Sequence, residues 1–165
     1  MAERQHIFLN SYGSVVHYIQ ECREWLMENN ICKNIEFRDL DGHAEDRIIE
    51  NEDYLFIKDF SGNIDYQFRD WFFNVGVSTF EDDNLFRHHQ IVDFLIDQFQ
   101  PTMTIPLLDH TNLSQNRGSL IIKDPTTLQP FSKYNTRAVQ YLLVNVSSTE
   151  TMHEHLPLDH TLDRV

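Results

Sequence analysis

The chain has 165 residues, 41% of them hydrophobic and 12% aromatic, which suits one domain with its own core and excludes an intrinsically disordered chain. Its 26 acidic residues against 13 basic ones give a formal net charge of −13, so nucleic acid and anionic membranes are repelled at long range. No apolar run approaches the ~20 residues needed to cross a bilayer.

The first element is a helix from Ser14 to Asn29. Val15, Val16, Tyr18, Ile19, Cys22, Trp25 and Leu26 recur at helical spacing on one face. Ser11 or Ser14 is the expected N-cap, and Asn29-Asn30 the stop, because Asn tolerates the left-handed geometry of a helix end. Residues 36–53 read as a polar, acidic connection around Gly42, with a short strand at Ile35–Phe37. Tyr54–Ile57 reads as a strand ended by a Ser61-Gly62-Asn63 turn. A longer strand follows from Tyr66 to Thr79, with Trp71, Phe73, Val75 and Val77 alternating against Phe72, Asn74, Gly76 and Ser78. These two strands make an antiparallel hairpin.

A second helix is expected from Asp83 to Gln98, capped by Asp82 or Asp83 and ended by Pro101. Its buried stripe reads as Leu85, His89, Val92, Leu95, Ile96 and Phe99. Thr102–Ile105 is a weak strand, residues 109–118 a loop, and Ser119–Ile122 a short strand. Residues 124–137 read as a long loop holding two prolines, and Ala138–Ser147 as a long strand. The result is an α+β class: a mixed or antiparallel sheet of four to five strands with two helices on one face. Residues 1–148 form the domain, and residues 149–165 an acidic, His-containing arm. A six-residue echo between Pro106–Thr111 and Leu156–Thr161 is too short to define a repeat.

The opening residues Met1–His6 lack the basic and apolar regions of a signal peptide, so folding in a cytosol is expected. Cys22 and Cys32 are too few for a disulfide scaffold and read as packing residues. His153, His155 and His160, with Glu154 and Asp159, have metal-ligating chemistry but match no standard zinc spacing, so no metal or cofactor is assigned. The carboxylate pairs Asp39/Asp41, Glu45/Asp46, Glu52/Asp53 and Asp82/Asp83 fall in loops and at a helix start, where solvation and capping explain them. Asp39-Leu40-Asp41-Gly42 resembles the start of a calcium loop, but His43 and Glu45 occupy later positions where its pattern wants other ligands. No nucleophile elbow, phosphate-cradling loop or zinc-protease helix motif is present, so no catalytic residue is expected.

Charge patterning says more. Residues 36–59 hold nine acids against three bases, a bias of −6, and residues 114–137 four bases against one acid, a bias of +3. Two solvated loops explain this, and so does a head-to-tail contact between copies. In the second case Asp39, Asp41, Glu45 and Asp46 lie on one side and Arg117, Lys123, Lys133 and Arg137 on the other. Tyr66, Phe68, Trp71, Phe72 and Phe73 put large rings on both faces of one strand, which calls for a loop or a neighbouring copy over the second face.

The pattern as a whole resembles the tail terminator proteins, the tail-to-head joining proteins of long-tailed bacteriophages. The resemblance covers residues 10–147: an amphipathic helix over Val15–Met27, a strand ending in Ser-Gly at Gly62, the aromatic strand to Thr79, a helix over Leu85–Phe99, and C-terminal strands. It implies a homo-oligomer, a hexameric ring that caps the tail tube protein, stops polymerisation and meets the head connector. DNA would pass through the lumen without specific binding, and the protein would reside at the tail–neck junction of the virion after synthesis in the host cytoplasm. Two rivals are an acidic monomeric binding protein of the immunity or DNA-mimic kind, and a metal-dependent enzyme using the C-terminal histidines.

Overall fold

The computed structural model describes residues 6–41, 52–65, 69–134 and 136–150. Helix α1 (Ile7–Glu28) runs from the N-terminal side and carries Val15, Ile19, Cys22 and Leu26 into the core. It starts two turns before the expected Ser14, because Ser11 and Ser14 are interior residues of the helix and not caps. Ser14 Oγ donates to the Asn10 carbonyl at 2.6 Å and accepts the Leu108 amide at 2.8 Å. A hydroxyl that bonds back to residue i−4 has no need to end a helix. The stop is where Asn29-Asn30 places it: Asn30 has φ 58, and the Ile31 and Cys32 amides turn back onto the Leu26 carbonyl.

Seven strands follow in one mixed sheet: β1 (Ile35–Asp39), β2 (Asp53–Ile64), β3 (Arg69–Phe80), β4 (Thr104–Asp109), β5 (Asn112–Leu128), β6 (Ser132–Tyr134) and β7 (Arg137–Glu150). Helix α2 (Phe86–Gln98) lies between β3 and β4 in sequence. The order is β1-β2-β3-β7-β5-β4, with β6 beside β7 beyond the end of β5. Only β1 and β2 pair in parallel among these strands. The class is therefore α+β, with seven strands among the described residues in place of the four to five expected.

The extra strands come from segments that sequence reads as loops. Residues 109–118 form the β4–β5 hairpin, where Asn112–Asn116 is exposed throughout and so shows no apolar alternation. Residues 124–128 extend β5, with Pro125 inside a register shift between Lys123 and Thr127. Such an irregularity is where a strand tolerates a residue without an amide hydrogen. Ser61-Gly62-Asn63 is likewise no turn. β2 passes a bulge at Asp59 (φ 56) and continues to Ile64, pairing Gly62 with Trp71. A Cβ at Gly62 would sit 2.4 Å from the Trp71 ring, so the glycine is there for a cross-strand aromatic. Tyr66 and Phe68 lie outside the described residues.

One sheet face carries the core. Leu55, Ile57, Trp71, Phe73, Val75 and Val77 meet Leu142, Val144 and Val146 from β7, and both helices cover them. Each large side chain buried there contributes about 1.5–3 kcal/mol. Trp25 of α1 stacks on Phe94 of α2, and the Tyr18 hydroxyl donates to the Gln98 carbonyl at 2.9 Å, so the helices lie side by side and antiparallel. The inward stripe of α2 is His88, Ile91, Val92 and Leu95, followed by Phe99. His89 is exposed, one position away from the expected register, because Leu85 takes a left-handed conformation and starts the helix late. Asp82 does serve the helix start, accepting the His88 amide at 2.7 Å.

The other face has no helix among the described residues. Phe56 is nevertheless only 1% exposed there, beside Tyr54 and Tyr141 and across from Gly76. A Cβ at Gly76 would come within 2.4 Å of the Phe56 ring. Val139, Tyr141 and Leu143 belong to this outer face, while Ala138, Leu142, Val144 and Val146 point to the core.

Candidate interaction surfaces

The acids expected on one side of a copy-to-copy contact are used within the chain. Asp39 accepts the Tyr12 hydroxyl, and its other oxygen accepts the Asp41 amide at 3.0 Å. Burial first, and then Asp39, push the Tyr12 hydroxyl well above its ordinary pKa. Asp41 holds the β2 bulge by accepting the amides of Asp59 (2.9 Å) and Phe60 (3.2 Å). Glu45 and Asp46 lie outside the described residues, as do the calcium-like positions from Gly42 to Glu50. So do His153, His155 and His160.

Three of the four bases are also engaged. Arg117 pairs with Asp109 at 2.7 Å across the β4–β5 hairpin. Hydrogen bonds from Thr111 and then Arg117 hold the Asp109 carboxyl well below the usual carboxylate range. Lys123 reaches Asp70 at 3.5 Å on the outer sheet face. Arg137 is buried, donates to the Glu52 carbonyl at 2.9 Å, and lies over the Tyr54 and Phe80 rings. Lys133 is exposed on β6 and has no ion-pair partner among the described residues.

The strongest charge cluster joins residues far apart in sequence. Asp53, at the start of β2, accepts Arg87 Nε at 2.7 Å and Nη2 at 3.1 Å in a two-pronged pair. It also accepts the Phe80 amide at 2.8 Å and the Cys32 thiol at 3.1 Å. Arg87 donates again to the Phe80 carbonyl at 2.8 Å, and Asp82 lies 3.9 Å away. Burial works against the Arg87 charge, but Asp53 outweighs it and raises the guanidinium pKa. The Cys32 thiol is pushed far up by burial and by Asp53, so despite nearby Arg87 it is no nucleophile. Burial likewise pushes Cys22 up to about 12. Next to this cluster His88 is fully buried, with Nδ1 3.1 Å from the Thr79 hydroxyl and Nε2 3.3 Å from Gln140. Burial lowers its pKa.

A groove of about 390 Å³ runs between the helices, lined by Tyr18, Glu21, Cys22, Trp25, Phe94, Asp97 and Gln98. Two of its lining rings stack on each other: Trp25 and Phe94 lie 4.4 Å apart with planes 6° apart, and Trp25 remains 43% exposed. Its carboxylates, Glu21 and Asp97, stay at the surface. Burial and then Cys22 and Glu21 push the Tyr18 hydroxyl up to about 12, so it stays a donor to Gln98. Sequence reading placed Trp25 on the buried face of α1 and left Phe94 outside the stripe of α2. Both lie at the margins of their stripes, where two helices leave a cleft.

Among the described residues no group of three or more His, Cys, Asp or Glu side chains is placed to hold a metal ion. No described helix is long and apolar enough to cross a membrane. No family model matches the chain, and no curated protein matches it. Among the solved structures that are similar, one matches over 82% of this chain and 97% of its own, at 10% identity and a TM-score of 0.47, a likeness too loose to carry an argument.

Proposed function

We propose that the chain is a structural subunit of a ring that caps the tail tube of a long-tailed bacteriophage, stops tube growth and joins the tail to the head connector. The observation that carries this reading is the asymmetry of the sheet. Both helices cover one face, while the other exposes Ile121 and Leu143, at 36% and 40%, on β5 and β7. Apolar side chains on an open sheet face are stabilised when another protein covers them. Repeated copies in one orientation give a closed ring, with the same contact made six times.

The net charge fits the same role. A lumen walled by a protein this acidic lets DNA slide without sticking. In this reading the ring has no catalytic residue, metal or cofactor, and it works at the tail–neck junction of the virion. The alternative, an acidic monomer that covers a basic partner, draws on the same charge but leaves the open sheet face unexplained.

The test is to add the purified chain to polymerising tail tube protein and view the products by electron microscopy. Six-fold rings should appear, and tubes should stop growing with a ring at one end. Tubes that lengthen without limit, with the chain unattached, contradict the reading.

A further inference from the structure

The groove between α1 and α2 joins aromatic rings to acidic side chains. Two stacked rings line it, one of them a tryptophan 43% exposed, together with the exposed carboxylates of Glu21 and Asp97. Among the described residues no lysine or arginine lines it. Aromatic faces attract cations, and carboxylates beside them add to that attraction while repelling anions. The occupant such a groove favours is a cation on an apolar stem, which lays its methylenes on the rings and its charge between the acids.

The chain itself displays such a group. Lys133 stands exposed on β6, two residues after Phe131, whose ring is 39% exposed. No acidic residue occurs between Pro125 and Arg137. Arg23, Arg87, Arg117, Lys123 and Arg137 are all held by acids or carbonyls of their own copy, so Lys133 is a cation still available for a second. Among the described residues Lys33 is the other exposed lysine without an ion pair, and it shares its pocket with Ile31, Asn34 and the half-buried Phe80 in place of an exposed ring.

The Phe131 ring meets His88 in the first turn of α2, at 5.5 Å. The groove takes Phe94, Asp97 and Gln98 from the last turns of the same helix. Donor and acceptor thus sit toward opposite ends of one rigid rod, separated by about 10–15 Å at a helical rise of about 1.5 Å per residue. Two separate patches let each copy offer its donor to one neighbour and its groove to another, the head-to-tail arrangement of a ring.

We propose that the α1–α2 groove receives Lys133 and Phe131 of a second copy of this chain. The inference rests on the ring reading and names its contact. It replaces the Asp39/Asp41 side expected from sequence, since those acids are taken up by Tyr12 and the β2 bulge.

Two variants test it by sedimentation at low salt. Lys133→Glu spoils the donor and keeps the groove. Glu21→Lys with Asp97→Lys spoils the groove and keeps the donor. Each alone should associate at least about tenfold more weakly than the parent, as expected for loss of a complementary charge contact. Mixed, they should regain association, because the native lysine meets the native groove and the reversed donor meets the reversed groove. Thermal unfolding of each variant separates loss of contact from loss of fold; Lys133→Gln and Asp97→Asn replace any variant that unfolds. A parent chain that assembles while either variant assembles equally well overturns the groove assignment and leaves the ring standing. A mixture that stays monomeric also overturns it. A parent chain that never associates removes the ring reading itself.

Discussion

The two ends of α2 treat carboxylates in opposite ways. At the first turn Asp53 and Asp82 are almost wholly buried, with side chains 8% and 7% exposed, and Arg87 and backbone amides hold them. At the last turns Asp97 stands in solvent across from Glu21, which is 59% exposed and meets only His17 among described cations. Both sets belong to the same excess of acid, yet only the first is bound up in the fold. A buried, paired acid is costly to disturb, whereas an exposed one contributes little to stability and remains free to meet a partner. Net charge alone, at −13, does not tell the two apart.

That contrast is broken most severely at Asp53. Asp53→Ala leaves the Arg87 charge, the Phe80 amide and the Cys32 thiol without their acceptor, and should cost about 3–5 kcal/mol in chemical denaturation. If it costs as little as an exposed acid does, the buried end is no different from the surface.

A smaller loss is expected on the open sheet face. Gly76→Ala pushes a methyl into the Phe56 ring, the Gln140 carbonyl and Tyr141, for about 1–3 kcal/mol of overpacking. It tests whether this face is built as tightly as the helix-covered one.

pH sharpens the comparison further. His88 is buried and its pKa lowered, so the unfolded chain takes up a proton before the folded one does. The stability it contributes is full above about pH 6.5 and declines as pH falls below it. His88→Gln should flatten the fall in unfolding free energy between about pH 7 and 5. Asp109 titrates in another window. Its lowered pKa means its contribution is present above about pH 4 and is lost as pH falls further, and Asp109→Asn should remove that acid-side slope. The smallest effect belongs to the exposed end: Asp97→Asn should change stability by no more than about 0.5 kcal/mol.

The sequence shows the elements that bury a periodic stripe. The 3.6-residue spacing of Val15, Ile19, Cys22 and Leu26 and the alternation of Trp71, Phe73, Val75 and Val77 locate the end of α1 and the body of β3, while the start of α1 lies two turns earlier than that spacing reads. Strands exposed on both faces, such as the first half of β5, give no alternation to read. Polar contacts made in space are equally invisible: Asp53 and Arg87 are 34 residues apart, and Asn10 meets His110 across 100. The bias of residues 36–59 and 114–137 is readable as charge. Which of those charges the chain neutralises itself is decided by the β2 bulge, the β4–β5 hairpin and the first turn of α2, none of which has a local signature. The groove was half legible, since Tyr18, Cys22 and Trp25 share a helix face, but its second wall is set by how α2 crosses that helix.

Association between copies is the claim on which the rest depends, and native mass spectrometry over a range of protein concentrations measures it directly. The account predicts a closed species of six chains of 19.6 kDa each, dissociating as salt rises. A single 19.6 kDa species at every concentration contradicts it.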